Sequence, residues 1–360
     1  MEVVQLKINK KGKIGLILIF LWHTLVFTQN GTTIALDKEQ IITSDNYHNS
    51  FPSVVKLEEG QVLVSYRKGK GHLSPVASAV YKTSNDNGKS FQNELIIENG
   101  NDFINTKHGI RNLIINELND GRLLATFWIN DYPKGNTYYK ISEDQGLTWG
   151  ERKEVLDKNT ITNFIGVEGR MIEINGDYIL PVFVKKSLIS NNMYAGVMIS
   201  RDLVNWTYYE VSRKISDNNE SVILFGNNHW QLLYFYRNVT ENALYRSESH
   251  DLGRTWSNPE NVSFPGYVQS RPDIAFYPDN NQMYLLYREG KYQTGTIAVS
   301  HDKGLTWKRL TGIYKDSTRF TYGGMVNVKR NKSILIYSTE THLNGVNSTI
   351  KNRFLRLKKD

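Results

Sequence analysis

Charged and hydroxyl-bearing residues recur at the two ends of short apolar segments in this sequence. Each segment is typical of a β-hairpin, and its opening residue lies 17 positions before its closing residue. The six pairs are Ser50 and Arg67, Arg111 and Trp128, Glu168 and Lys185, Glu220 and Arg237, Arg271 and Arg288, and Tyr322 and Thr339. Arginine is a permanently charged, fork-shaped donor that suits a carboxylate better than lysine does. Because the strands between them are apolar, these charged residues predict an anion-binding funnel; a structural ring of ion pairs is the alternative.

A turn motif lies between the hairpins and sets the period of the chain. The pattern S-x-D-x-G-x-[ST]-[WF] begins at Ser84, Ser142, Ser249 and Ser300, and a shorter copy without the glycine begins at Ser200. In chain order these starts are 58, 58, 49 and 51 residues apart. The Asp and Ser or Thr side chains bond local backbone and Gly supplies a positive φ, so the motif predicts a tight turn with the aromatic residue beneath it. A period of this length predicts an array of equivalent units.

The apolar segments predict how many strands each unit has. They cover residues 52–66, 113–127, 169–184, 221–236, 272–287 and 323–337. Most have a polar or glycine-containing break near the middle, as hairpins do, and an octet after each of the first five closes a second strand pair. Four strands in each of six repeats predict an all-β fold, a six-bladed β-propeller, as one domain of residues 31–360. Residues 33–45 are expected to supply the missing outer strand of the last blade, and a two-sheet sandwich is the alternative.

Composition limits the classes of function. Of the 360 residues, 39% are hydrophobic and 22% charged, and the formal net charge is +8 without a long basic run, so nucleic acid is not an expected partner. The chain has no cysteine, which excludes disulfides. Its eight histidines are scattered, and it has no glycine-rich phosphate loop, so neither a metal nor a cofactor is expected.

The N-terminus predicts export. Lysines at positions 7 to 13 precede an apolar run that begins at Ile14 and, interrupted by His23, continues to Phe27. This is typical of a secretory signal peptide, here residues 1–30, and His23 opposes the alternative of a membrane anchor. The mature protein is therefore expected to be secreted or periplasmic, monomeric and away from the membrane.

The chain resembles the sialidase (neuraminidase) superfamily over roughly residues 45–345, and its octets are similar to that family's Asp boxes. Asn-Glu-Ser at 219–221, followed by Arg237, is similar to the stretch that carries the family's glutamate and one of its three substrate-carboxylate arginines. Tyr-Arg-Glu at 287–289 is similar to the stretch with another of these arginines. Phe-Thr-Tyr-Gly at 320–323 resembles the stretch with the nucleophilic tyrosine.

This resemblance implies an exo-acting glycoside hydrolase of the sialidase type. Glu220 would draw the proton from Tyr322, whose oxygen would attack the anomeric carbon of a carboxylate-bearing sugar. A neutral tyrosine avoids the repulsion that an anionic nucleophile would meet from the substrate carboxylate. Arg237 and Arg288 would bind that carboxylate, so the expected partner is an acidic oligo- or polysaccharide.

The sequence departs from the family at the first arginine. Ser-Phe-Pro at 50–52 stands where the family has Arg-Ile-Pro. Arg67 or Arg111, at neighbouring funnel positions, is the predicted replacement. Arg271 and Glu168 occupy further funnel positions and are predicted substrate contacts.

The second departure concerns the acid/base aspartate. In the family it lies in the loop after the first hairpin, but the corresponding loop here, residues 68–75, has no carboxylate. His72 is the group in that loop able to exchange a proton near neutral pH, so it is the predicted acid, with His108 as a second candidate.

Two other functions use the same residues. A polysaccharide lyase acting on uronic acids needs an arginine to neutralise the carboxylate, a base for the C5 proton and an acid for the leaving group. Arg237, Arg288, Tyr322 and His72 would provide these groups without an aspartate. A propeller that binds glycans and has lost catalysis is the third possibility, because Asp boxes also occur in binding proteins.

Overall fold

The computed structural model describes residues 25–29, 32–92, 94–131, 134–159, 164–187, 189–212, 217–226, 228, 230–277, 281–290, 293–314, 318–340 and 347–358. The predicted signal peptide, residues 1–30, lies outside these residues except at 25–29. Over the described ranges the fold is all-β, and no helix is long and apolar enough to span a bilayer.

The described residues form 27 strands in four sheets of 10, 9, 4 and 4 strands, and apart from two single parallel pairs these strands group into six antiparallel units. The N-terminal strands are β1 (Leu25–Gln29), β2 (Thr32–Leu36) and β3 (Gln40–Thr43). Unit 1 consists of β4 (His48–Lys56), β5 (Val62–Gly69), β6 (Ala77–Ser84) and β7 (Leu95–Glu98), followed by a 3₁₀ helix (Gly100–Phe103). Unit 2 consists of β8 (Ile110–Glu117), β9 (Leu123–Asp131), β10 (Lys134–Ser142) and β11 (Lys153–Glu154). Unit 3 consists of β12 (Phe164–Val167), β13 (Ile172–Ile174), β14 (Asp177–Lys185), β15 (Tyr194–Ser200) and β16 (Thr207–Glu210). Unit 4 consists of β17 (Asn218–Phe225), β18 (Leu232–Asn238), β19 (Ala243–Ser249) and β20 (Glu260–Asn261). Unit 5 consists of β21 (Tyr267–Tyr277), β22 (Gln282–Glu289), β23 (Thr294–Ser300) and β24 (Lys308–Gly312). Unit 6 consists of β25 (Arg319–Lys329), β26 (Lys332–Glu340) and β27 (Ser348–Lys358), with the N-terminal strands.

Single parallel pairs join some of these units. Gly135 pairs with Phe164 between units 2 and 3, and Ser348 pairs with His48 between units 6 and 1. Both β2 and β3 pair antiparallel with β27, which confirms that residues 33–45 complete the last unit, and β1 pairs with β2. The first and last parts of the chain are thus held in one unit.

Apolar side chains are buried between consecutive units rather than within one layer. Six clusters of buried hydrophobic residues each join two neighbours in the order of the chain. One of them joins the last unit to the first, with Val64 and Tyr66 from unit 1 packed with Ile334 and Phe354 from unit 6. Burial between units therefore links all six in sequence and links the sixth back to the first.

The octets fold into the predicted turns. In the last of them Ser300 Oγ donates to Asp302 Oδ1 (2.7 Å) and accepts from the Gly304 amide (2.8 Å). The other oxygen of Asp302 accepts from the Thr306 hydroxyl (2.6 Å), and Trp307 Nε1 donates to the Gly304 carbonyl (3.1 Å). Gly304 has φ of +81°, and a Cβ there would lie 2.4 Å from the Phe235 ring. The glycine is thus required by both its conformation and its close packing.

We expect Trp256→Ala to destabilise the protein by about 3–5 kcal/mol, because it empties a packed site beneath a turn. Trp256 is 3% exposed and packs in the cluster between units 3 and 4. Equilibrium urea unfolding measures the change. The equivalent residue of an earlier octet, Trp149, is only partly buried, so Trp149→Ala is the matched control and should cost clearly less. Equal losses would mean that the octet itself, rather than its buried aromatic ring, sets the stability.

Candidate active site

Irregular backbone in the first strand of five units positions the candidate site. In five units the pairing shifts register between Ser50 and Ser53, Arg111 and Ile114, Asn219 and Ser221, Val268 and Asp273, and Phe320 and Gly323. Within three of these bulges Phe51, Asn112 and Glu220 have positive φ of 54°, 46° and 45°. A bulge redirects side chains out of the regular alternation, and strained backbone of this kind is concentrated at functional sites. The bulges coincide with the predicted funnel positions.

A cavity of about 230 Å³, hereafter the site cavity, lies among these strands. Five predicted site residues line it: His72, Arg111, Glu168, Glu220 and Tyr322. One wall is apolar and is formed by Trp128, Phe164 and Phe183, whose ring centroids lie 5.4–5.6 Å apart. The cavity therefore combines charged groups with an aromatic wall, a combination that suits the polar and apolar faces of a sugar.

Tyr322, Glu220 and Arg237 form the centre of the site. The Tyr322 hydroxyl donates to Glu220 Oε1 (2.9 Å), and Arg237 Nη1 contacts Glu220 Oε2 (2.7 Å). Burial and the charge of Glu220 raise the pKa of Tyr322. Burial would lower the pKa of Arg237, but the Glu220 carboxylate outweighs it and the net shift is upward. The phenol is thus neutral and in contact with a carboxylate that can accept its proton.

Glu168 is the second carboxyl group of the cavity. It directly follows β12, is 3% exposed, and accepts a hydrogen bond from Asn112 Nδ2 at Oε2 (2.7 Å). Burial, followed by the charge of Glu220, raises the pKa of Glu168 well above its ordinary value. The two carboxyl groups are therefore in different environments, since Glu220 contacts an arginine and Glu168 an amide.

Three further arginines surround this centre. Arg271 is 4% exposed, and its Nη2 donates to the carbonyls of Pro52 (2.6 Å) and Gly323 (3.2 Å). Its guanidinium lies 5.8 Å from the Tyr322 ring. Burial and the neighbouring charge of Arg319 lower the pKa of Arg288. Arg271 thus joins units 1, 5 and 6, and the charge of Arg319 acts on Arg288.

Arg67 and Arg111 hold the loop of residues 68–75. Arg67, fully buried, donates to the carbonyls of Ile110 (2.9 Å), Gly71 (2.9 Å) and Ser74 (2.7 Å). Arg111 Nη1 donates to the carbonyl of His72 (2.6 Å). Burial lowers the pKa of Arg67 to about 9 and that of Arg111 to about 10. Of the two predicted replacements for the first arginine, Arg111 lines the site cavity, whereas Arg67 lies behind the loop.

His72 lies at the cavity edge beside Glu340 and His48. Glu340 Oε1 contacts His48 Nε2 (2.7 Å) and lies 3.9 Å from His72 Nδ1. The contact with Glu340 would raise the pKa of His72, but burial and the charges of Arg111 and His48 together lower it. The hydrogen bond to His48 and the nearby His72 together outweigh burial and lower the pKa of Glu340 to about 2. His72 is therefore neutral near pH 7, and its side chain is 44% exposed.

Among the residues that the structure describes, His48, His72 and Glu340 form the group that could hold a metal ion, because one ligand atom from each lies within 4.8 Å of the other two. The charge of Arg111, which already lowers the pKa of His72, would also oppose a cation there. His108, the second candidate acid, is partly buried, and burial and Arg111 lower its pKa as well.

Sequence reasoning missed Asn112, Arg319, His48 and Glu340. Asn112 is next to a predicted funnel residue, and Glu340 follows Thr339 at the end of a hairpin. Position alone could have found these two. Nothing in the sequence links His48 with Glu340, which are 292 residues apart in the chain.

The family model described as a BNR repeat-like domain matches residues 104–334. No curated protein matches the sequence significantly.

Solved structures resemble the fold at low sequence identity. A protein of unknown function from Dyadobacter fermentans is 18% identical with a TM-score of 0.75, over 92% of this chain and 100% of that one. NanB sialidase from Streptococcus pneumoniae is 12% identical with a TM-score of 0.71, over 88% of this chain and 70% of that one. Trypanosoma rangeli sialidase, solved with 2,3-difluorosialic acid as a covalent intermediate, is 13% identical with a TM-score of 0.67, over 94% of this chain and 58% of that one. The fold is thus that of sialidases, and the matched residues show that the chain belongs to the family of BNR repeat-like domains.

Proposed function

We propose that the protein is a glycoside hydrolase of the sialidase type that releases a terminal, carboxylate-bearing sugar such as sialic acid from an acidic glycan. The observation that carries the proposal is the hydrogen bond of 2.9 Å from the Tyr322 hydroxyl to Glu220 in the site cavity. A phenol with a raised pKa is a poor nucleophile unless a base removes its proton as it reacts, and Glu220 is in contact to do so. In this mechanism the bond from Tyr322 oxygen to the anomeric carbon forms as the glycosidic bond breaks.

Arginines beside the site cavity support an anionic substrate. Arg237 contacts Glu220, and Arg288 and Arg319 lie close enough to each other for charge repulsion to lower the pKa of Arg288. A carboxylate bound between the cations would relieve this repulsion and accept paired hydrogen bonds. The cavity of about 230 Å³ is small for a ligand site, which favours one terminal sugar over an internal stretch of chain.

We also infer that the six units are the blades of a closed β-propeller. The apolar cluster that joins unit 6 to unit 1 supports this, as do the pairs of β2 and β3 with β27. Such an arrangement brings the bulged inner strands to one central funnel. With the predicted signal peptide at residues 1–30, the protein would be secreted or periplasmic, monomeric and in contact with extracellular acidic glycans.

The proposal is tested by incubating the mature protein with a fluorogenic α-sialoside and, in parallel, with uronate-containing polysaccharides. Release of the fluorophore without new ultraviolet absorbance is the expected result. Absorbance from an unsaturated product alone would contradict hydrolysis and establish a lyase. Binding of glycans without any product would instead identify a glycan-binding protein.

One observation favours the lyase as the second candidate. His72 borders the same cavity as Tyr322, and its lowered pKa keeps it neutral near pH 7, ready to accept a proton. A lyase needs such a base beside a carboxylate bound by arginine. Glu220 has no obvious role in that reaction, which is why hydrolysis is the preferred function.

We expect Arg237→Ala to lower kcat/KM for the sialoside by about 100-fold or more. The change removes a charged contact in a desolvated site, worth about 3 kcal/mol, and leaves Glu220 without its cation. Steady-state kinetics measure the effect, with Arg201→Ala as the control, because Arg201 is an exposed arginine that makes an ion pair with Asp177 and does not line the site cavity. Kinetic constants equal to those of the wild type in Arg237→Ala would rule out a role of Arg237 in binding the substrate or in catalysis.

A further inference from the structure

We propose that Glu168 donates the proton to the leaving oxygen of the glycoside, the role for which the loop of residues 68–75 has no carboxylate. This inference rests on the proposed hydrolase function and adds to it a second catalytic carboxyl group. Both Glu168 and Glu220 line the site cavity with Tyr322, so one substrate could contact all three.

An amide fixes the position of Glu168; the nearby charges of Arg271 and Arg237 would lower its pKa, but burial and the charge of Glu220 outweigh them. Within the described part of the chain, the hydrogen bond to its side chain comes from Asn112 Nδ2, and Asn112 in turn donates to the Val167 carbonyl (3.3 Å). The bulge at Arg111–Ile114 and the positive φ of Asn112 direct that amide toward Glu168. One carboxyl oxygen is thus held, and a proton on the other can face the cavity.

Glu220 has the opposite surroundings. Its two oxygens contact the Arg237 guanidinium and the Tyr322 hydroxyl, which stabilise a carboxylate. Burial and the adjacent charge of Glu220 then favour the neutral form of Glu168 and raise its pKa. Two titratable groups whose environments differ in this way are the usual arrangement for one base and one acid.

His72 fits the donor role less well than Glu168. A donor must carry its proton at the working pH, and the lowered pKa of His72 leaves it neutral there. Its Nδ1 faces Glu340 at 3.9 Å, and its side chain is 44% exposed, whereas Glu168 is 3% exposed inside the cavity. The raised pKa of Glu168 has the sign that an acid requires, since it extends the protonated form toward neutral pH.

The proposed step balances in both halves of the reaction. As the glycosidic bond breaks, the Glu168 proton moves to the leaving oxygen, and the Tyr322 proton moves to Glu220. In the second half the Glu168 carboxylate takes a proton from water while that water attacks the anomeric carbon. Tyr322 oxygen leaves and recovers its proton from Glu220, so both carboxyl groups return to their starting states.

Dependence on the leaving group tests this role. Glu168→Gln should lower turnover of an α-sialoside of lactose, whose alcohol leaving group needs a proton, by about 10²–10⁴-fold. Turnover of a sialoside with an acidic phenol as leaving group should fall about tenfold or less. The matched control is Glu173→Gln, a partly exposed glutamate outside the cavity whose Oε2 accepts from the Asn119 amide, and it should leave both substrates unaffected.

Equal losses of turnover on both substrates in Glu168→Gln would overturn the proposal. So would a dependence on the leaving group that appears in His72→Ala instead of Glu168→Gln. Infrared difference spectra of wild type and Glu168→Gln add a readout that does not need turnover. A carboxylic-acid C=O band near pH 6 that is lost in the variant supports a neutral Glu168, and its absence overturns the donor role whatever the kinetics. A wild-type protein that cleaves no sialoside would refute the hydrolase function. The infrared C=O band is measured without turnover, so it still shows whether Glu168 is protonated and distinguishes that failure from a wrong choice of acid.

Discussion

Tyr322→Phe is expected to abolish sialoside hydrolysis, with kcat lower by about 10⁴-fold or more. The substitution removes the oxygen that forms the covalent bond in the proposed mechanism, and the loss of a nucleophile is among the largest single effects in enzyme catalysis. The ring itself should stay in place, because it packs on Phe51 with centroids 4.5 Å apart. Steady-state turnover of the fluorogenic α-sialoside gives the measurement.

A matched control separates the chemistry from the loss of a buried tyrosine–glutamate contact. Tyr66 also donates its hydroxyl to a glutamate, Glu94, but lies in unit 1 away from the site cavity. Tyr66→Phe should cost about 1 kcal/mol in unfolding free energy and leave turnover intact. Equal turnover by the Tyr322 and Tyr66 variants would exclude Tyr322 as the nucleophile.

Arg170→Ala is expected to destabilise the protein by about 3–5 kcal/mol, because it leaves the buried Asp273 without its ion-pair partner and frees two carbonyls. Arg170 lies in unit 3, yet its Nη1 donates to the carbonyls of Val54 (3.1 Å) and Met325 (2.8 Å) in units 1 and 6. Its Nη2 contacts Asp273 Oδ1 of unit 5 at 3.1 Å. One side chain thus bonds three other units, and denaturant unfolding measures its contribution.

The double variant Arg170→Met with Asp273→Leu is the control for that prediction. Burial raises the pKa of Asp273, so the carboxyl is unfavourable there once its cation is gone. Replacing both partners with apolar residues should recover part of the loss. A change of less than about 1 kcal/mol in Arg170→Ala would show that the units are held by their apolar clusters alone.

The repeat of turns made the fold predictable. Each octet contains its own hydrogen-bond partners, so a local pattern determines a local structure. The copy at Ser200 is one residue shorter and lacks the glycine, yet Leu203 keeps the positive φ (62°) that the residue before the glycine takes in the full octets, such as Lys303 (61°). Trp206 Nε1 donates to the Leu203 carbonyl (2.9 Å), and Asp202 still accepts from the following backbone, so the turn forms even where one of its residues is missing.

The candidate site was only partly predictable. The spacing of 17 residues matches the observed pairs Ser50–Arg67 and Arg111–Trp128 in the sheets, but in the other hairpins the register differs, with Phe164 opposite Lys185 and Asn219 opposite Arg237. Spacing does not determine where a long side chain ends: Arg67 turns to loop carbonyls, whereas Arg111 reaches the cavity. The bulges decide which side chains face inward, and they depend on contacts between units that a linear sequence does not reveal.

Trapping of the intermediate tests the central claim most directly. The wild-type protein is incubated with 2,3-difluorosialic acid, the compound bound as a covalent intermediate in the Trypanosoma rangeli sialidase structure. Intact-mass and peptide mass spectrometry should then find one sugar adduct, on the peptide that contains Tyr322, and none in Tyr322→Phe. An adduct on another residue, or hydrolysis of the fluorogenic sialoside by an enzyme that forms no adduct, would contradict Tyr322 as the nucleophile.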